Sequence, residues 1–195
     1  VTLKDAIQSG RLVDYEYYPH PMNLTDSEAT EWRKLTLQIV REMPADSDKS
    51  KTVELSDRVK MLLIKRSRIA KKAVNKVEIA TEIVAESFVD GERWLIYCED
   101  TEQLQCLMSS LNKAGFRPVE YHSSMVGDKG ATIEWFKKFG GLLVSIRCLD
   151  EGVDIPSVDH ALILASSQNP RQFIQRRGRV LRRSEGKNLA VIHDV

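Results

Sequence analysis

The sequence predicts an α/β fold, a mostly parallel sheet with helices on both faces, preceded by a helical arm. Three observations carry this expectation. From Arg93 onward, short and nearly continuous apolar runs alternate with segments of helical period. Strands apolar on both faces belong to parallel sheets that helices cover above and below. Before Arg93 the period is mainly helical, so this part reads as a separate arm. A length of 195 residues with 42% hydrophobic content allows one substantial core plus an appendage. The expected division is a connector strand and helical arm over 1–75 and an α/β domain over 76–195.

The elements follow in order. The opening through Leu24 is rich in turns and aromatic residues, with Tyr15 and Tyr17 on one face of an extended segment that Pro19 and Pro21 close. It reads as a docked connecting strand. Thr25-Asp26-Ser27-Glu28 is a capping box, and Trp32, Leu35, Ile39 and Met43 then recur at helical spacing until Pro44. Ala45 to Lys51 is polar and reads as an exposed loop, after which the pattern from Val53 to about Val89 is helical again. Trp94 to Cys98 is a buried strand, Thr101 to Ala114 a helix stopped by Gly115, Arg117 to Tyr121 a strand and Lys129 to Phe139 a helix. Leu142 to Ile146, His160 to Ala165 and Leu189 to His193 are three further strands, with Pro170 opening a helix between the last two.

Composition narrows the function. Lys+Arg 29 against Asp+Glu 28 gives a formal +1, so total charge favours no partner. The distribution is uneven, because 58–76 holds eight basic residues and no acid, while 86–102 holds six acids and one arginine. The basic stretch reads two ways. Its lysines and arginines could contact phosphates, or Met61, Leu62, Ile64, Ile69 and Val74 could bury one face and leave the charges solvated. Cys98, Cys106 and Cys148 form no CxxC pair and no zinc spacing, which points away from a disulfide framework or metal site and toward a reducing compartment. No apolar run approaches the roughly 20 residues that span a bilayer, and Val1-Thr2-Leu3-Lys4 does not open like a signal peptide. A soluble cytoplasmic protein with no membrane partner is expected.

In parallel sheets ligands bind outside the carboxyl ends of the strands. The polar residues gather at those ends. Glu99-Asp100-Thr101 opens a helix that could offer backbone amides to a phosphate, and His122-Ser123-Ser124 follows the next strand. After Ser145-Ile146 come Arg147 and a loop with Gly152, which permits close approach, and Asp154, which could accept hydrogen bonds from a ribose. Between Gln175 and Arg183 one glycine and five arginines occupy nine residues. Arg179 and Arg182 are three apart, so on a helix they present two guanidinium forks on one face to the same polyphosphate.

Taken in order, these segments resemble the second motor domain of superfamily 2 DEAD/DEAH-type helicases and translocases. Leu95 to Cys98 resembles motif IV, Ser145 to Pro156 motif V, and Gln175-x-x-Gly178-Arg179-x-x-Arg182 motif VI. The match covers about Lys76 to Val195 and, less specifically, the connector from Thr2 to Tyr15. The wording Asp150-Glu151-Gly152-Val153-Asp154-Ile155-Pro156, with Gln175 opening motif VI, is most similar to the branch of XPB-type repair helicases and restriction-system helicase subunits.

The resemblance implies a RecA-like P-loop NTPase fold. It makes Arg179 and Arg182 the catalytic arginine fingers and places Gly152, Asp154, Gln175 and Gly178 at the nucleotide. Thr101, His122, Ser145 and Arg147 would lie toward the nucleic-acid backbone. Neither a Gly-x-x-x-x-Gly-Lys-Ser/Thr loop nor an Asp-Glu-x-His or Asp-Glu-x-Asp box occurs, so ATP and Mg2+ would be held mainly by an N-terminal RecA-like domain of the same polypeptide, and this piece alone should not hydrolyse ATP. The branch resemblance favours DNA over RNA, although backbone contacts need not read the 2′-hydroxyl. A restriction-type translocase and a non-catalytic RecA-like interaction module are the alternatives.

Overall fold

The computed structural model describes residues 3–43, 55–146, 158–165, 180–184 and 186–195. The chain divides into two compact units, one of Val1–Met22 with Lys76–Val195 and one of Asn23–Asn75.

The larger unit is built on a six-stranded sheet of β1 (Asp14–Pro19), β2 (Arg93–Cys98), β3 (Val119–Tyr121), β4 (Gly141–Ile146), β5 (His160–Ile163) and β6 (Leu189–Asp194). Their order across the sheet is β1-β6-β5-β2-β4-β3, and every pairing is parallel. All carboxyl ends therefore lie along one edge. The tyrosine-rich opening forms β1 beside β6, with Tyr15 opposite Ala190, so the connecting strand belongs to the sheet. Ahead of it the turn-rich reading gives way to a short helix, α1 (Leu3–Gln8), ending at Gly10 with φ of 69°.

Alternation along each strand separates two cores. On one face Trp94, Ile96 and Cys98 of β2 pack with Leu142 and Val144 of β4, beneath Ala80, Ile83 and Val84 of α4 (Asn75–Ser87) and Leu104, Leu107 and Leu111 of α5 (Thr101–Lys113). Those helical positions recur at three- and four-residue spacing, which is why the two helices cover the sheet. On the other face Leu95 and Tyr97 join Leu143, Ala161, Ile163, Ala190 and Ile192, covered by Ile133 and Phe136 of α6 (Lys129–Phe139) and by Val180 and Leu181.

The first core ends toward β6 in an aromatic stack. The Trp94 ring lies parallel to His160 at 4.3 Å and to His193 at 5.5 Å, and His193 stacks on Tyr18. Burial depresses the His193 pKa to about 4, with added repulsion from His20 and His160. The imidazole is neutral at pH 7, and its Nδ1 lies 3.0 Å from His20 Nε2.

In the smaller unit, α2 (Asp26–Glu42) starts with the expected capping box: Glu28 N–H donates to Thr25 Oγ1 and Thr25 N–H to Glu28 Oε2. The long helical pattern that follows is not one helix but two, α3 (Asp57–Lys71) and then α4. At the break Val74 N–H donates to Glu28 Oε1 at 3.0 Å, 46 residues earlier in the chain, rather than to the preceding turn. Of the apolar residues that one reading buried along this stretch, Leu62 and Ile69 are half-buried. Met61, Ile64 and Val74 are exposed, while Val59 is buried.

Candidate functional site at the carboxyl edge of the sheet

The chain leaves β5 toward β6 on one side of the sheet and leaves β2 toward β3 on the other. Adjacent strands whose connections diverge open a crevice outside their carboxyl ends, where α/β sheets hold ligands. Of the expected site residues, Thr101, His122 and Ser145 stand at this edge, at the ends of β2, β3 and β4. Arg147, Gly152 and Asp154 follow β4, and Gln175, Gly178 and Arg179 follow β5; all six lie outside the described residues.

Ser145 sits in the last turn of β4, in register with Tyr97 of β2 and Tyr121 of β3. Expected to face a nucleic-acid backbone, it is wholly buried here, because β4 runs between two neighbours beneath α6, and its hydroxyl has no hydrogen-bond partner among the described residues. His122 emerges directly after β3. Its side chain is largely buried, with Nε2 3.4 Å from a Glu120 carboxylate oxygen. Thr101 is exposed at the start of α5, but the expected phosphate-binding amides there are partly engaged. Asp100 caps the helix by accepting from Gln103 N–H at 3.1 Å, and Glu99 N–H donates to Gln103 Oε1 at 2.8 Å. Glu99, Asp100 and Glu102 stand beside Thr101 at this helix start.

Arg182 is exposed, and the four residues from 180 to 183 are each held. Lys187 Nζ donates to the carbonyl of Val180 and to that of Val158. Val13 N–H donates to Leu181 O at 2.9 Å, Arg182 forms an antiparallel bridge with Leu12, and Arg183 reaches Gly10 O at 3.4 Å. Val180 and Leu181 anchor the segment in the core. The connector before β1 thus braces the arginine segment from one side and a buried lysine from the other.

Two buried lysines were not expected from the sequence. Lys187 is 7% exposed and joins the residue that follows one motif loop to the residue that follows the other. Lys76, at the start of α4, donates to Leu164 O at 2.7 Å and to Val195 O, tying the ends of β5 and β6. Burial lowers both pKa values to about 8, with Asp159 opposing the shift at Lys187 and Asp194 at Lys76. Nothing in composition marks a lysine that binds carbonyls inside a fold, since an isolated lysine beside a glycine turn reads as surface.

This architecture is shared with known proteins. The helicase conserved C-terminal domain family matches residues 75–184, more than half of the chain. The putative ATP-dependent RNA helicase MJ1505 of Methanocaldococcus jannaschii is 29% identical over 138 residues, which cover 67% of this chain and 18% of that protein. The DNA 3'-5' translocase XPB2 of Sulfurisphaera tokodaii is 28% identical over 127 residues, covering 63% of this chain and 27% of the relative. The chain therefore spans less than a third of either relative. Among solved structures, the C-terminal part of the Fun30 ATPase domain superposes with a TM-score of 0.62 at 15% identity, over 94% of this chain and 85% of that one. The C-terminal domain of the DEAD-box protein Dbp5 gives 0.53 at 19% identity, over 65% and 72%. These likenesses show the fold, a RecA-like α/β domain with helices on both faces of a parallel sheet. Together with the family match, they make this chain a member of the helicase conserved C-terminal domain family, within superfamily 2.

Proposed function

We propose that this chain is the C-terminal motor domain of an ATP-dependent DNA helicase or translocase. In this reading an N-terminal RecA-like domain of the same polypeptide holds ATP and Mg2+, and the nucleotide lies between the two domains. Arg179 and Arg182 supply positive charge to the γ-phosphate in the transition state, a task of positioning and electrostatics. Gly178 lets the backbone approach, Gln175 couples the nucleotide to closure, and Gly152 and Asp154 meet the ribose. Arg147, His122 and Thr101 lie toward the nucleic-acid backbone, while buried Ser145 supports the strand end that carries Arg147. Closure on ATP and opening after hydrolysis would step the protein along one strand.

The observation that carries the reading is the brace on Arg182. A segment held at four consecutive residues fixes where the backbone of Arg182 stands, so the placement of an arginine finger at that position is set by the fold. The DNA preference is supported by the motif V wording and by the translocase relative. RNA is the second reading, favoured by the similarity to a putative RNA helicase. The test is ATP hydrolysis by the full-length protein without nucleic acid, with DNA and with RNA, for wild type and Arg182→Ala. DNA-selective stimulation that falls by about 10³-fold or more in the variant is expected. RNA-selective stimulation would reassign the substrate, and a variant that keeps its rate would remove Arg182 from catalysis.

A further inference from the structure

Among the described residues two lysines are buried, Lys76 and Lys187, and they stand at the two ends of one connection. The chain between β5 and β6 carries Gln175, Gly178, Arg179 and Arg182 in sequence. Lys187 holds its returning end by donating to Val180 O. Lys76 holds its departing end. Its Nζ donates to Leu164 O at 2.7 Å, directly after β5, and to Val195 O, directly after β6. The two carbonyls are neighbours because β5 pairs with β6, and Val195 N–H donates to Ile163 O at 3.0 Å. One ammonium thus fastens the same corner of the carboxyl edge from two strands.

Lys76 lies in the first turn of α4, and Ala80, Ile83 and Val84 of that helix are packed in the core. The lysine is 6% exposed, and Leu164 is wholly buried, so its carbonyl has no water to turn to instead. Asp194 favours the charged form from nearby, while the two carbonyls take the hydrogen bonds. A buried ammonium is a weak source of net stability, because desolvation offsets its attraction and an apolar side chain of similar volume often serves as well. What the ammonium supplies is direction. Charge-assisted donors on a single nitrogen draw two carbonyls to one point, and a Met or Leu in that place would leave both without a donor.

We propose that Lys76 is a positioning residue for ATP hydrolysis, fixing the corner of the sheet from which the segment bearing Gln175 and Arg179 departs. The inference rests on the helicase reading above, which places those two side chains at the nucleotide. An arginine finger acts only at the right distance from the γ-phosphate, and a displacement of about 1 Å set up far from the chemistry can cost about 10²-fold in rate. Lys76 itself touches neither nucleotide nor nucleic acid in this role. It acts through the backbone, at the opposite end of the connection from Lys187.

The experiment measures kcat and KM for ATP in the full-length protein, with and without DNA and RNA, for wild type, Lys76→Met and Lys76→Arg. Val84→Ala is the control, a core truncation about two turns along the same helix. All are assayed at a temperature where circular dichroism shows them folded. Loss of positioning in the transition state lowers kcat and spares KM, so Lys76→Met is expected to lose about 10- to 100-fold in nucleic-acid-stimulated kcat with KM for ATP within about threefold. Lys76→Arg, which keeps the donors and the charge, recovers part of that loss. Val84→Ala lowers Tm and keeps kcat near wild type. A folded Lys76→Met that retains kcat, that loses no more of it than Val84→Ala, or that changes KM alone overturns the proposal. If Lys76→Met does not fold, Lys76→Gln takes its place with the same loss expected, since it keeps an N–H donor on a shorter stem; failure of both to fold marks the lysine as purely structural and overturns the proposal too. If wild type shows no hydrolysis stimulated by either nucleic acid, the helicase reading itself fails, and that result is told apart by wild type alone.

Discussion

Gly140 joins α6 to β4 at the end of the sheet away from the candidate site, and replacing it with alanine tests the packing that holds the sheet to its helix. Its φ of 72° and ψ of −153° lie in a region that is essentially glycine's alone. A Cβ built there meets the Glu92 carbonyl oxygen at 2.7 Å and the Gly91 carbonyl carbon at 2.8 Å, with the Gly91 oxygen nearer still. All three are backbone atoms, so none can swing aside. Backbone strain costs about 1–3 kcal/mol and forced overpacking about 1–3 kcal/mol more, so Gly140→Ala is expected to lose about 3–5 kcal/mol. For a domain of this size that lowers Tm by roughly 10 °C. Gly115→Ala is the control, since its φ of 93° is also positive but nothing lies within 4 Å of the new Cβ. It should lose only the strain, about 1–2 kcal/mol. Chemical denaturation followed by far-UV circular dichroism reads both. If the two variants are equally stable, the close approach of the α6 end to the Gly91–Glu92 turn does not constrain the fold, and the reasoning is wrong.

The remaining predictions concern charge. His193 has a folded pKa of about 4 against 6.5 when exposed, so between those values the unfolded chain binds more protons and stability rises with pH. Wild type should therefore lose up to about 3 kcal/mol relative to His193→Gln as pH falls from 6.5 to 4, and parallel curves for the two proteins would refute the assignment. Lys187→Met leaves the carbonyls of Val158 and Val180, both buried, without their donor at about 1–3 kcal/mol each, offset in part by relief of the ammonium's own burial. A net loss of about 2 kcal/mol is expected. In the full-length protein the same variant should lower kcat for nucleic-acid-stimulated ATP hydrolysis more than it raises KM, with partial recovery in Lys187→Arg; an unchanged kcat would show that the lysine does not position Arg182.

The sequence by itself determined the elements whose signal is local. Leu104, Leu107 and Leu111 recur at helical spacing, and the runs around Ile96, Val144 and Leu162 are apolar on both faces, so α5 and the central strands follow from period alone. The capping box at Thr25 likewise sets where α2 begins, because donor and acceptor lie three residues apart in the chain. The order of motifs carried the family. Tertiary structure decided what depends on partners distant in sequence. It split the long helical pattern at Val74, because a carboxylate 46 residues earlier takes its N–H. It buried Ser145, because its exposure depends on which strands flank β4 and not on its neighbours in the chain. It also turned Lys76 and Lys187 inward and clasped 180–183 between Gly10–Val13 and Lys187. Local pattern reads the free energy of a residue against its near neighbours; a buried ammonium or a braced arginine is stable only through carbonyls that the fold brings from far along the chain.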